Sequence, residues 1–175
     1  NSVMKDKNAV DIRFAMCFPD VYEIGMSNLG MMILYNMFNQ REDVWCERLF
    51  SPWPDLDKVM REKKIPLFAL ESQEPIRDFD FLGITIGYEM CYTNILQVLD
   101  LSGIPLKSAD RGEDFPIVIG GGACAYNPEP LAPFFDMFYI GEGEVSYRKL
   151  LDVYKESRKN GDSRQEFLRK AAGIP

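Results

Sequence analysis

The sequence predicts an α/β fold: a doubly wound, Rossmann-like, mostly parallel sheet of about five strands flanked by helices. Short apolar runs alternate with amphipathic stretches from one end of the chain to the other. Parallel strands need long crossover connections, and these are usually helical. The chain has 175 residues, of which 46% are hydrophobic and 27% charged, which suits one compact domain.

Apolar runs bounded by turn residues predict the strands. They cover residues 12–18 (IRFAMCF), 43–50, 67–72, 78–87, 116–122 and 136–141. The first run is apolar throughout, as expected for a strand buried on both faces of a sheet. We expect the run at 67–72 to be an edge strand and the run at 78–87 to be central.

Capping and stop signals predict the helices between these strands. They cover residues 27–40 with Ser27 as the N-cap, 54–64 from Pro54, 94–103 capped by Thr93-Asn94, 142–161, and a short helix after the capping box Ser163–Glu166. The helix at 27–40 is apolar on nearly all sides, so we expect it to be largely buried. Its methionines, with Met26 just before it, are predicted to fill the core.

The composition argues against several classes of partner. Twenty-seven acidic and 20 basic residues give a net charge of −7, and the basic residues form no stripe, so nucleic-acid binding is not indicated. The longest apolar run, GMMILYNMF, is shorter than the roughly 18 residues of a membrane span, and no secretory signal opens the chain. The four cysteines are far apart, which excludes a local zinc or iron–sulfur motif and favours reduced thiols. We therefore predict a cytoplasmic protein without membrane contact.

Ligand contacts are predicted in the loops that follow the strands, because parallel sheets bind ligands at their carboxyl edge. These loops read DVYEIGMS, GYEMCYTN, GGGACAYNPEP and GEGE. Three of the four are rich in glycine, which lets a backbone approach a flat or bulky ligand closely. Tight turns between strands and helices also need glycine, so both explanations stay open.

Aromatic and acidic residues in the same loops also have two interpretations. Tyr22, Tyr88, Tyr92 and Tyr126 would line an apolar pocket or a domain interface, or would simply pack at the rim. Glu142 and Glu144 flank the predicted start of a helix, where acids interact favourably with the helix dipole. Contact with a ligand or partner is the alternative for these two carboxylates.

The loop sequences resemble those of a known family. Residues 20–25 (DVYEIG) are similar to the D-x-H-x-x-G loop of cobalamin-binding domains, with Tyr22 in the histidine position. Residues 85–87 stand where the S-x-L loop of those domains stands, and Gly120–Gly122 match their GG loop. Residues 117–144, from IVIGGG to GEGE, resemble the amino-terminal domains of cobalamin-binding radical S-adenosylmethionine (SAM) proteins. The resemblance covers residues 11 to about 155.

The resemblance implies a non-catalytic, cobalamin-binding-like domain over residues 1–160, and a short helix and linker over 161–175 leading to a downstream radical SAM domain. SAM and a 4Fe–4S cluster are expected only in that downstream domain, which would be the partner of this segment. The cofactor contacts that it implies are Asp20, Tyr22, Gly25, Ser27, Thr85, Gly87, Tyr88, Gly120, Gly121, Gly122, Gly141 and Glu142. No catalytic residue and no protein ligand to a metal is expected in this segment.

Cobalamin, if bound, would be held without a histidine ligand. The chain contains no histidine, and the phenol of Tyr22 has an ordinary pKa of about 10, which makes it a poor ligand for cobalt. The alternative is a Rossmann-like docking or substrate-recognition module that has lost cobalamin binding. A tyrosine-rich rim without a deep cavity would favour that module, and an open cleft beside the glycines would favour the cofactor. A flavodoxin-like protein is less consistent with bulky Tyr22 and Glu23 in the first loop.

Overall fold

The computed structural model describes residues 2–174 and contains a five-stranded sheet in which all strands are parallel. The strand order is β2-β1-β3-β4-β5. The strands are β1 Ile12–Phe18, β2 Val44–Phe50, β3 Phe81–Thr85, β4 Ile117–Gly121 and β5 Met137–Phe138. The direction in which strands are added reverses between β1 and β3, which is the signature of a doubly wound sheet. The predicted fold class is confirmed.

Helices cover both faces of the sheet. They are α1 Tyr22–Gly25, α2 Leu29–Asn39, α3 Pro54–Lys63, α4 Tyr92–Leu101, α5 Gly143–Asn160 and α6 Arg164–Ala171. Short 3₁₀ turns lie at Ile76–Asp78, Glu89–Cys91, Ser108–Asp110, Ala123–Tyr126 and Ala132–Phe134. One face packs against α2, α5 and α6 around Phe14 and Phe81. The other packs against α3 and α4 around Leu82, so β1 is buried from both sides.

The predicted edge strand at residues 67–72 is wrong. This segment forms only one antiparallel bridge, between Phe68 and Pro75. Its backbone closes a local turn instead, because the amide of Ala69 donates to the carbonyl of Glu74 and the amide of Ile76 donates to that of Leu67. An ion pair joins the turn to β2: the Arg48 guanidinium lies 2.6 Å from the carboxylate of Glu71. Backbone groups that are hydrogen-bonded within the turn cannot also pair with a neighbouring strand.

Two predicted N-caps are also wrong. Asn28, not Ser27, caps α2, because its side-chain oxygen accepts from the amide of Met31. The Ser27 hydroxyl donates to the carbonyl of Ile24 instead. Helix α4 begins at Tyr92, one residue before the predicted Thr93-Asn94 cap. By contrast, the capping box before α6 is confirmed, with Ser163 and Glu166 bonded reciprocally.

The prediction that α2 is largely buried is wrong on one side of the helix. Met31, Tyr35 and Phe38 point into the core, but Leu29, Met32 and Ile33 are exposed. Met32 therefore does not fill the core, as the sequence had suggested. No helix within residues 2–174 is both long enough and apolar enough to cross a bilayer.

A buried carboxylate fastens α6 to the sheet. Asp136, just before β5, accepts hydrogen bonds from Arg111 at 3.0 Å, from Arg164 at 2.7 Å and from the backbone amide of Val118 at 2.7 Å. All three charged side chains are almost completely buried. Arg164 is the first residue of α6, and its guanidinium also donates to the carbonyls of Phe115 and Pro116. One carboxylate thus joins β4, β5 and α6.

Replacing Asp136 with alanine should lower the free energy of unfolding by about 3–5 kcal/mol, because two buried guanidinium groups lose their counter-charge. Urea unfolding followed by circular dichroism measures the change. Asp152→Ala is the matched control, since that carboxylate pairs with Arg41 but is 63% exposed, and its loss should cost at most about 1 kcal/mol. Equal effects of the two substitutions would contradict this assignment.

Candidate functional site

The carboxyl ends of the five strands meet at one edge of the sheet, and the site residues expected from the sequence all lie there. The β1–α2 segment carries Asp20, Tyr22, Gly25 and Ser27; β3 ends in Thr85, followed by Gly87 and Tyr88; β4 ends with Gly120 and Gly121, followed by Gly122; and Gly141 and Glu142 follow β5. The structure therefore brings these residues to the edge at which parallel sheets bind ligands. Their contact with a cofactor remains a prediction.

A hydrogen bond crosses the switch point between β1 and β3. The Tyr88 hydroxyl donates to a carboxylate oxygen of Asp20 at 3.0 Å. This hydrogen bond and the negative charge of Asp20 raise the pKa of Tyr88. Nearby, the side-chain amide of Asn94 donates to the carbonyl of Pro19 at 2.9 Å. The two loops are thus bridged where a ligand would enter a doubly wound sheet.

Tyr22 lies on the β2 side of the switch point. Its ring meets the ring of Phe50 edge-on, with centroids 5.4 Å apart. It also lines a cavity of about 250 Å³ together with Phe50, Trp53 and Leu56. That volume is below the roughly 300–1,000 Å³ of ordinary ligand pockets, so the cavity suits a single side chain or a small planar group.

Three of the predicted glycines are required by packing within the chain. A Cβ at Gly25 would lie 2.4 Å from the Phe50 ring, and one at Gly120 would lie 2.8 Å from the Phe138 ring. Gly122 has a φ of +100°, and its Cβ would lie 2.9 Å from the carbonyl oxygen of Ile86. That carbonyl accepts from the amide of Cys124, and the amide of Ile86 donates to the carbonyl of Gly121. Here the turn explanation is sufficient.

Packing within the chain does not require glycine at Gly87 or Gly121. A Cβ at Gly87 would meet nothing within 4 Å, and one at Gly121 would make only ordinary contacts, at 3.8 Å or more. Neither residue has a positive φ. A side chain would therefore enter open space at Gly87 and would fit beside Tyr139 and Tyr147 at Gly121.

The turn after β5 orients the start of α5. Gly141 has a φ of +128°, and the Tyr139 hydroxyl donates across the turn to the carbonyl of Glu142 at 2.6 Å. Glu142 occupies the N-cap position of α5, but its side chain makes no capping hydrogen bond. Glu144 lies in the first turn, where its charge favours the helix dipole.

Every strand is followed by an exposed apolar side chain. These residues, which we call the carboxyl rim, are Tyr22, Trp53, Tyr88, Met90, Tyr126 and Ile140. The three tyrosines were expected from the sequence, whereas Trp53, Met90 and Ile140 were not. The exposure of Trp53 was predictable from the sequence, because this residue lies between Pro52 and Pro54 shortly after a strand. A residue before proline is extended, and in a loop its side chain has few neighbours that could bury it. Exposed apolar side chains that collect at one edge of a protein are typical of interaction sites.

Another cavity, of about 470 Å³, lies at the opposite, amino edge and is lined by charged residues including Arg77 and Glu113. Asp80 and Arg158 line it as well, and they pair with each other at 2.8 Å. Within residues 2–174, no group of three or more histidine, cysteine or acidic side chains is arranged to hold a metal ion. The carboxyl edge is the candidate site because parallel sheets bind ligands at the carboxyl ends of their strands.

The fold is a doubly wound α/β module whose strand ends carry the candidate site. The chain belongs to the family described as "Radical SAM proteins, N-terminal". The model of that family matches residues 30–175. The match begins after the β1 loop, so Asp20 and Tyr22 lie outside it. The chain is also similar to an uncharacterized protein of Methanocaldococcus jannaschii, with 26% identity over 143 residues. The aligned part is 81% of this chain and 26% of the relative, so the chain spans about a quarter of that protein's length.

The two kinds of glycine should respond differently to substitution. Gly122→Ala should lower the free energy of unfolding by about 1–3 kcal/mol, because alanine is strained at this φ and its Cβ meets backbone. Gly121→Ala, one residue earlier, should change it by less than about 0.5 kcal/mol. Urea unfolding of the two variants provides the comparison. A large loss for Gly121→Ala would show that this position is also needed for packing.

Proposed function

We propose that this chain is the non-catalytic N-terminal domain of a radical SAM protein and that its carboxyl edge positions cofactor or substrate for a downstream domain. SAM and a 4Fe–4S cluster would belong to that downstream domain. The observation that carries the proposal is the carboxyl rim, because all five parallel strands deliver exposed apolar side chains to one edge. Membership of the family supplies the radical SAM context.

A cytoplasmic location is part of the proposal. The four cysteines are free thiols, which suits a reducing compartment. Burial raises the pKa values of Cys17 and Cys46, so both stay protonated and unreactive near neutral pH.

Cobalamin is the cofactor that we propose for this edge. The open space at Gly87, together with the missing side chain at Gly121, suits a flat group laid against the ends of β3 and β4. A group inserted between the β1 and β3 loops would have to break the exposed Tyr88–Asp20 hydrogen bond. The cofactor would supply a cobalt centre able to carry a methyl group. The chain's own part would be to hold its face toward the downstream domain, with no histidine to act as a ligand.

A docking or substrate-recognition module without cobalamin is the second candidate. The features that favour it are the bridged switch point, the small cavity beside Tyr22 and the exposed tyrosines of the carboxyl rim. Tyrosine suits such a surface because its ring packs while its hydroxyl remains in water. Under this interpretation Gly87 and Gly121 leave room for the backbone of a partner.

The radical SAM assignment predicts a CxxxCxxC motif downstream of residue 175 in the full-length protein. Protein purified without oxygen should show the absorbance of a 4Fe–4S cluster, and replacing any one motif cysteine by alanine should abolish it, since thiolates hold such clusters. Cys124→Ala is the control within this domain and should leave the cluster content unchanged. Absence of the motif would refute the assignment, and cluster loss in Cys124→Ala would show that this domain supplies a ligand.

Cobalamin binding is tested by titrating the protein with hydroxocobalamin, desalting it and recording the absorbance spectrum. We expect retained corrin bands and an at least ten-fold higher Kd for Gly121→Leu, equivalent to about 1.4 kcal/mol. Gly112→Leu is the matched control. A Cβ at Gly112 would meet nothing within 4 Å, and this residue lies before β4, away from the carboxyl edge. A colourless protein would contradict cobalamin binding and favour the docking module.

A further inference from the structure

Helix α2 carries apolar side chains on both of its sides. Met31, Tyr35 and Phe38 are buried against the sheet. On the outer side, Leu29 is 69% exposed, Met32 50% and Ile33 40%. These three residues, which we call the α2 stripe, have the i, i+3, i+4 spacing of a helix contact surface. The outer side of α2 thus has the composition of a surface that packs against another element.

The α2 stripe continues into neighbouring segments. Ile24 in α1 and Val145 in the first turn of α5 are both more than half exposed. α2 and α5 are in contact, and a Cβ at Gly143 would lie 3.0 Å from the side chain of Leu34, so the first turn of α5 lies beside α2. Surfaces of this kind are uncommon on proteins that have no partner.

Gly30 leaves space on the exposed part of α2. It is the second residue of the helix, in its first turn. A Cβ at this position would meet only the side-chain oxygen of Asn28, at an ordinary 3.5 Å. Its φ is not positive, so neither packing nor conformation within this chain requires glycine. A missing side chain beside Leu29 would let another backbone approach α2 closely.

We infer that the α2 stripe is the surface against which the remainder of the full-length protein docks. The inference rests on the proposed function, in which a further domain follows this one. The M. jannaschii relative is about four times as long as the region it shares with this chain, so a much larger partner is available within one polypeptide.

The competing occupant is a second copy of this chain. An intramolecular partner is favoured because a linked domain is present at high effective concentration, so a modest stripe of three side chains is sufficient. Association of free copies would have to overcome the whole entropy cost of binding and, in general, needs a larger interface.

Cysteine accessibility in the full-length protein tests the inference. The background variant is Cys124→Ser, because the other three cysteines of this domain are buried, and labelling is quantified at the introduced cysteine by peptide mass spectrometry. Into it we place Met32→Cys in the stripe or, as the matched control, Val59→Cys, which is 46% exposed on α3 at the opposite face. We expect the native protein to react with a maleimide at least ten-fold more slowly at position 32 than at position 59. In urea the two rates should become equal.

Equal rates in the native protein would overturn the inference. Protection at position 32 that disappears on dilution would also overturn it, since it would identify a second copy as the occupant. The labelling rates do not depend on cluster or cofactor. A protein that keeps its iron–sulfur cluster but leaves position 32 reactive thus refutes docking alone, whereas a protein without the CxxxCxxC motif refutes the proposed function.

Discussion

Parallel pairing of the five strands is the constraint on which the rest of the structure depends. It requires each connection to cross from one end of the sheet to the other, so helices must cover both faces. It also delivers the carboxyl ends of all strands to a single edge. Loops that are far apart in the sequence, at residues 19–28, 51–53, 86–91, 122–127 and 139–142, become neighbours as a result. The candidate site is a direct consequence of this topology.

Glycine at that edge serves two purposes that the sequence alone does not distinguish. Gly122 allows the chain to turn against the carbonyl of Ile86, which ties the end of β3 to the loop after β4. Gly121, its immediate neighbour, accepts a hydrogen bond from the amide of Ile86 through its carbonyl, but a Cβ would fit there. Of these two adjacent glycines, one is therefore required by the backbone turn and the other is not.

The sequence was sufficient for the fold class and for most elements, because apolar period and capping chemistry are local signals. It failed where long-range contacts decided the outcome. The segment at 67–72 has the composition of a strand, but its backbone hydrogen bonds, from Ala69 to Glu74 and from Ile76 to Leu67, close a turn. Met32 and Met31 look alike in the sequence, and only the position of the sheet makes one exposed and the other buried. The loop positions of the site were predictable, but the Tyr88–Asp20 bridge was not, because the partners are 68 residues apart.

The contacts of the Asp136 carboxylate also indicate that α6 belongs to the folded domain. Arg164 supplies one of the two guanidinium groups around that carboxylate, and Phe167 fills a space beside Phe81 and Tyr154. A protein fragment cut at Asn160 would lose both contributions and leave apolar surface on the sheet open to water. Helix α6 therefore acts as a structural clasp of the domain, and any recombinant boundary or domain exchange should keep it together with the sheet.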